Sequence, residues 1–295
     1  MTEKIRLSYS AVETLLVCER KFQLDRLLTS SVEKQDFPAT VMGRSYGAGV
    51  QSYLTHQDAD RAVYDAYMAY WPVLEEPEKG RSELHAISLL LTSIPHLDTL
   101  LQDWEVATFN NKPAVELSFR LDIDEKFYYV GYLDLVLRNR WSNRYAVGEI
   151  KSTSLQLHDL SPLYQNSGQA LGYSIILDSI VGQELSDYDT LYLVGQINDK
   201  HQHKFKDYTF AKTLLDRFNW FISLSMDVSR LHDMLDNNVF PMRGSSCLQF
   251  MRACPHFGTC SLHGLDKPKE IEPDTVQYDF TFDLNAVVQN HMQRI

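Results

Sequence analysis

Along the first hundred residues apolar positions recur close to every 3.6 residues, the spacing that turns one helix face inward. Residues 8–28 read as one helix, with Ser10 and Glu13 forming an S-x-x-E cap and Val12, Leu15, Leu16 and Phe22 the apolar stripe. Helical spacing recurs over 40–71 and 82–104, with breaks expected near His56 and Pro95. The pattern then changes: 114–122, 127–138 and 145–152 are short runs rich in Val, Ile, Tyr and Phe between charged or Asn-containing turns, which predicts three neighbouring strands. Ser161 and Pro162 predict the N-cap and first turn of a helix to about residue 178, while 190–197 returns to strand composition. An edge strand is expected over 204–210 and a long amphipathic helix over 211–237, with Leu214, Phe218, Phe221, Ile222 and Leu231 on its apolar side. Beyond 265 the chain is polar and acidic until a final helix over 284–293. Strand, helix, strand implies an α/β fold, a central mixed β-sheet flanked by helices.

With 295 residues, 44% hydrophobic and 23% charged, the chain has ordinary globular composition. No window reads as the roughly 20 apolar residues of a membrane span, and the first residues lack the apolar stretch of a secretory signal. The expectation is a soluble, cytoplasmic protein with no membrane partner. The net charge of −11 repels nucleic acid and excludes a protein that coats DNA nonspecifically, so any DNA contact must be local.

In the run from Gly131 to Arg138, alternation puts Tyr132, Asp134 and Val136 on one face and Leu133, Leu135 and Leu137 on the other. The same period sets Glu149 beside Lys151 and turns Ile150 the opposite way into the core. Carboxylates converging in a half-buried place repel one another, and a hard cation with oxygen ligands, Mg2+ or Mn2+, removes that cost. Such an ion polarises a phosphoryl oxygen and activates water, while a lysine orients the water or stabilises charge on the phosphate. These parts suffice for phosphodiester hydrolysis. Taken alone, an E-x-K pair is more simply an exposed ion pair.

Gly131 and Asp134 in G-x-x-D, a hairpin, and then Glu149 and Lys151 in E-x-K resemble the PD-(D/E)XK nuclease superfamily, specifically its RecB-like branch. Gln169 and Tyr173 match that branch's Q-x-x-x-Y, four residues apart on one helical face. The resemblance implies catalytic roles for Asp134, Glu149, Lys151, Gln169 and Tyr173. It implies metal ligation by Asp134, Glu149, the Ile150 main-chain carbonyl and Glu116. The family's G-x-x-x-H has its nearest match at Gly47 and Gln51, where the amide oxygen of Gln51 replaces the histidine as a metal ligand. An alternative frame, Gly43 to Gly47, leaves no ligand.

Cys18 stands alone near the start, whereas Cys247, Cys254 and Cys260 crowd one segment. A cytoplasmic chain is not expected to hold two disulfides, which leaves a metal centre or four unrelated buried thiols, and four thiolates suit either Zn2+ or a [4Fe-4S] cluster. Gaps of six and five residues are wider than the usual zinc knuckle. One cysteine before the nuclease core and three after it resembles the iron-sulfur RecB-like nucleases, among them AddB-type and CRISPR-associated exonucleases. The resemblance implies a cluster that staples the two ends of the chain.

The expected organisation is a single RecB-like nuclease domain over 1–265, with a mainly helical part (1–105), the catalytic sheet and helices (106–240) and a cysteine segment (241–265). A polar tail follows over 266–295. The resemblance further implies a DNA exonuclease acting on single strands or duplex ends in recombination, repair or phage DNA processing, working with a helicase, annealing protein or single-strand-binding protein. The alternative is a weak or inactive nuclease-fold subunit that binds DNA ends in a larger complex. His201 and His203 alternate in a polar turn without a third ligand and read as solvated, as does His256. Arg138, Arg140 and Arg144, with Lys200, Lys204 and Lys206, form the best local basic patch, and no Walker loop is present.

Overall fold

The structure is a computed structural model that describes residues 4–29, 38–70, 81–142, 144–182, 187–198, 200–249, 252–261, 268–269 and 274–295. It divides into two compact units, one of Met1–Gln35, Phe119–Gly131 and Phe218–Gln293, the other of Asp36–Ser118, Tyr132–Arg217 and Arg294–Ile295.

The second unit carries a mixed sheet flanked by helices. Its Asp134 strand (Phe127–Asn139) runs antiparallel to the Glu149 strand (Tyr145–Thr153), with Arg138 opposite Tyr145 and Leu135 opposite Gly148. The Glu149 strand is parallel to Asp187–Gln196, which pairs antiparallel with Lys204–Thr213. A parallel neighbour requires a crossover, and the Gln169 helix (Gly168–Val181) supplies it. On the sheet lies the Gln51 helix (Pro38–His56), whose Met42, Tyr46, Val50 and Leu54 pack with Leu89, Leu90, Leu135, Leu137, Ile150 and Leu193. Gly49 admits the neighbouring helices Ala59–Tyr70 and Glu83–Asp103, because a Cβ there would stand 2.6 Å from Leu90 Cδ2 and 3.3 Å from the Ala62 carbonyl.

The helix break at His56 and the three central strands fall within a residue or two of expectation; residue 71 lies outside the described residues. Pro95 does not break its helix. Glu83–Asp103 runs through it, capped by the Ser82 hydroxyl, because Leu89, Leu90, Ser93 and Leu97 bury one continuous face. By length and composition this helix could cross a bilayer, contrary to the expectation that no window qualifies, yet its apolar face belongs to the core. The helix expected from Ser161 is two: Ser161–Gln165, closed by Asn166 Nδ2 donating to the Pro162 carbonyl at 3.1 Å, and then Gly168–Val181. That break places Gln169 in a first helical turn.

In the first unit, Ile5–Ser8 is a strand that the helical reading of 8–28 overlooked, parallel to the Asp134 strand from Phe127 to Val130. Ser8, not Ser10, caps the following helix, and its hydroxyl accepts from Ala11 N. That helix, Tyr9–Val17, stops at Cys18, whose backbone is extended (φ −163°, ψ 112°), before Glu19–Phe22 resumes. The final helix Leu284–Met292 forms as expected, while the long helix starts at Leu214 rather than 211, because the preceding strand runs on to Thr213, and its Ile222 is exposed rather than on the apolar side. Within the stretch read as a polar tail, Phe280–Asp283 pairs parallel with Val115–Asp122 from Phe119 to Asp122.

Candidate active site and cysteine cavity

The ladder between the Asp134 and Glu149 strands is recorded as far as Leu135 and Gly148, where a Cβ on Gly148 would crowd Leu135 Cβ at 3.0 Å. One step beyond, the Asp134 side chain takes over, and its Oδ2 accepts from Ile150 N at 3.0 Å. Glu149 lies beside it, fully buried. Its Oε2 accepts from Lys151 Nζ at 2.8 Å, but its Oε1 has no hydrogen-bond partner. Burial pushes the Glu149 carboxyl up to about 8; Lys151 opposes the rise, and Asp134 and Glu116 add to it. Burial also raises Asp134 and Glu116. Burial pulls Lys151 down, but Glu149 and Asp134 outweigh it and leave the ammonium above its usual range.

Lys151 also donates to Gln169 Oε1 at 3.1 Å, and Gln169 Nε2 reaches the Tyr173 hydroxyl at 3.5 Å. Burial raises the Tyr173 phenol, so it remains a neutral hydrogen-bonding group. On the other side Gln51 Nε2 donates to Glu116 Oε1 at 2.6 Å and to the Asp134 carbonyl at 3.1 Å. Its amide nitrogen, not the oxygen expected as a ligand, therefore faces the Glu116 carboxylate and the Asp134 main-chain carbonyl. Glu116 sits at φ +49°, a left-handed backbone that a residue inside a strand adopts at a cost of about 1–3 kcal/mol. All the residues singled out around E-x-K thus meet in one place, with Ile150 held in register opposite Leu193.

Glu149 and Asp134 act on one ammonium with Glu116 close to Asp134, and Glu149 Oε1 has no hydrogen-bond partner. That donor set fits a hard divalent ion. As they stand, no three His, Cys, Asp or Glu side chains among the described residues are arranged to hold an ion. Sequence reasoning missed Tyr164, a buried phenol coupled electrostatically to Lys151. It also missed a cavity of about 520 Å3 bordered by Gln51, Ser52, His56, Asp65, Lys112 and Val115. No spacing in the chain signals either. The arginine half of the basic patch is paired with carboxylates, Arg138 and Arg140 with Glu105 and Arg144 with Asp189 at 2.8 Å.

The first unit gathers all four cysteines around a cavity of about 370 Å3. Glu19, buried directly after Cys18, binds Arg230 and holds Arg243 at 2.6 Å, just before the turn to Cys247. Ser246 Oγ donates to the Val17 carbonyl at 2.6 Å and Arg20 Nε to the Cys260 carbonyl at 3.2 Å, so both flanks of Cys18 grip the cysteine segment. Burial raises the Cys260 thiol, as do Cys18, Cys254 and Cys247, while Arg20 lowers it. Four sulfurs lining one hollow fit a thiolate-ligated centre. His256 is buried rather than solvated, and its Nε2 lies 2.7 Å from Asp25 Oδ1.

A model of the PD-(D/E)XK nuclease superfamily matches residues 6–261. The chain belongs to that superfamily. No curated protein matches the chain.

Proposed function

We propose that this nuclease is a Mg2+- or Mn2+-dependent DNA exonuclease of the RecB-like branch, acting on single strands or duplex ends. Asp134, Glu149, Lys151, Gln169 and Tyr173 form its site, and Cys18, Cys247, Cys254 and Cys260 hold a [4Fe-4S] cluster. The observation that carries the reading is Glu149, a fully buried carboxylate with one oxygen unpartnered, between Asp134 and Lys151. When bound, a divalent ion supplies the positive charge that offsets the carboxylates and polarises the phosphoryl oxygen. Asp134, Glu149 and the Ile150 carbonyl are its proposed ligands, with Glu116 beside them.

Lys151, held between Glu149 and Gln169, presents a fixed ammonium to the attacking water or the phosphate. Gln169 and Tyr173 keep that ammonium aimed and offer an amide and a phenol to the strand. Gln51 orients Glu116 by its N–H, a positioning role that an imidazole N–H can also fill. In the first unit the cluster would be a structural staple between segments that are far apart in sequence. The test presents end-labelled single strands, blunt duplexes and covalently closed circles with Mg2+ or Mn2+. Shortening of the first two with circles intact is expected; cleavage of closed circles contradicts exonuclease action, and binding without cleavage would mean an end-binding subunit.

A further inference from the structure

The site face of the Asp134 strand opens from core to solvent along its length. Val136 is buried, Asp134 is half-buried, and Tyr132, two residues away on the same face, is 38% exposed. The backbone of Tyr132 belongs to the site: its N–H donates to the hydroxyl of Tyr173, the phenol that Gln169 Nε2 reaches at 3.5 Å. Its side chain does not share in that network. Among the described residues the Tyr132 ring enters no aromatic pair or cation contact, and its hydroxyl no hydrogen bond. An aromatic ring thus stands in water at the mouth of the carboxylate site, while Leu133 and Leu135 on the other face are fully buried.

We propose that Tyr132 is a stacking platform for one nucleobase of a single-stranded DNA end, carried by a nucleotide next to the phosphate held at Asp134 and Glu149. The proposal rests on the nuclease reading above. Side chains two apart on a strand are about 6.8 Å apart along it, close to the distance between neighbouring phosphates of an extended DNA strand. A phosphate at the carboxylate site therefore brings an adjoining base within reach of the ring. The charge of the chain favours a contact of this kind: the net −11 repels DNA, and Arg138, Arg140 and Arg144 are already paired with carboxylates. Stacking adds affinity without adding charge, and it reads no sequence because every base has a π-face. It also sorts ends. A base paired inside a duplex has both faces covered, whereas a single-stranded or frayed base can exchange its neighbour for the ring.

The test is fluorescence anisotropy of labelled single strands with anaerobically purified full-length protein, with Ca2+ in place of Mg2+ so that binding is read without cleavage. Wild type, Tyr132→Ala and Tyr132→Phe are compared on intact strands and on strands with one abasic nucleotide placed in turn near either end. The expected result is binding at least ~5-fold weaker in Tyr132→Ala and unchanged in Tyr132→Phe. One abasic position should weaken wild type by a similar factor and Tyr132→Ala no further. Equal affinity of wild type and Tyr132→Ala overturns the proposal, as does a loss that Tyr132→Phe shares, or abasic losses that are the same in wild type and Tyr132→Ala at every position. A wild type that binds no single strand overturns it too. Cleavage plays no part in the readout, so a failure here leaves the nuclease reading standing, and an inactive protein still tests Tyr132.

Discussion

Replacing Glu149 by Gln tests whether the site is built as a cation holder at the expense of the fold. The carboxyl has a folded pKa of about 8 against an ordinary 4.5. Below pH 4.5 it is neutral in both the folded and unfolded states and contributes nothing to pH dependence. Between 4.5 and about 8 the unfolded chain releases the proton first, so stability falls as pH rises, and above 8 the loss is constant. At about 1.4 kcal/mol per unit, the cost reaches on the order of 3 kcal/mol at pH 7. Glutamine is an uncharged isostere of the protonated carboxyl and escapes that cost. In EDTA at pH 7, Glu149→Gln should therefore melt higher than wild type, by roughly 6 °C at about 2 °C per kcal/mol. The difference should vanish near pH 4.5, and it should shrink when saturating Mn2+ stabilises wild type alone. A variant that melts at or below wild type in EDTA at pH 8 refutes the reasoning.

Gln51→His should keep or raise Mn2+-supported cleavage, since an imidazole can hold Glu116 by its N–H or bind the ion directly; loss of cleavage in a folded variant removes Gln51 from the site. Cys18→Ala should abolish the brown colour and iron of protein purified without oxygen, about four atoms per chain in wild type; full iron in the variant excludes Cys18 as a ligand. Gly49→Ala should lower stability by about 1–3 kcal/mol, read as a reduced melting temperature, because its Cβ collides with Leu90 and the Ala62 carbonyl; an unchanged melting temperature would mean that these helices yield freely.

The strands that carry Asp134 and Glu149 were legible because a period of two puts Leu133, Leu135, Leu137 and Ile150 on one buried face and sets Asp134, Glu149 and Lys151 into the other, beside Val136 and Val147. Ile150 obeys that period and lies in the core. The Q-x-x-x-Y pair was legible for the corresponding helical reason. Elements set by long-range bonds were not. Ile5–Ser8 and Phe280–Asp283 are four-residue strands that exist through parallel partners more than a hundred residues away, and no local period announces them. Cys18 interrupts a good helical stripe because Glu19, Arg20 and the Val17 carbonyl are committed to the cysteine segment. His203 sits in a polar turn and looks solvated until the fold brings His85 over it.

The central claim is that Asp134 and its neighbours hydrolyse phosphodiesters, and the most direct measurement is metal-dependent nucleotide release from labelled DNA by wild type and by Asp134→Ala. The account predicts release by wild type with Mg2+ or Mn2+ and none with EDTA. It predicts a loss of at least ~100-fold in Asp134→Ala, with an unchanged circular-dichroism spectrum. Cleavage by Asp134→Ala at the wild-type rate would contradict it.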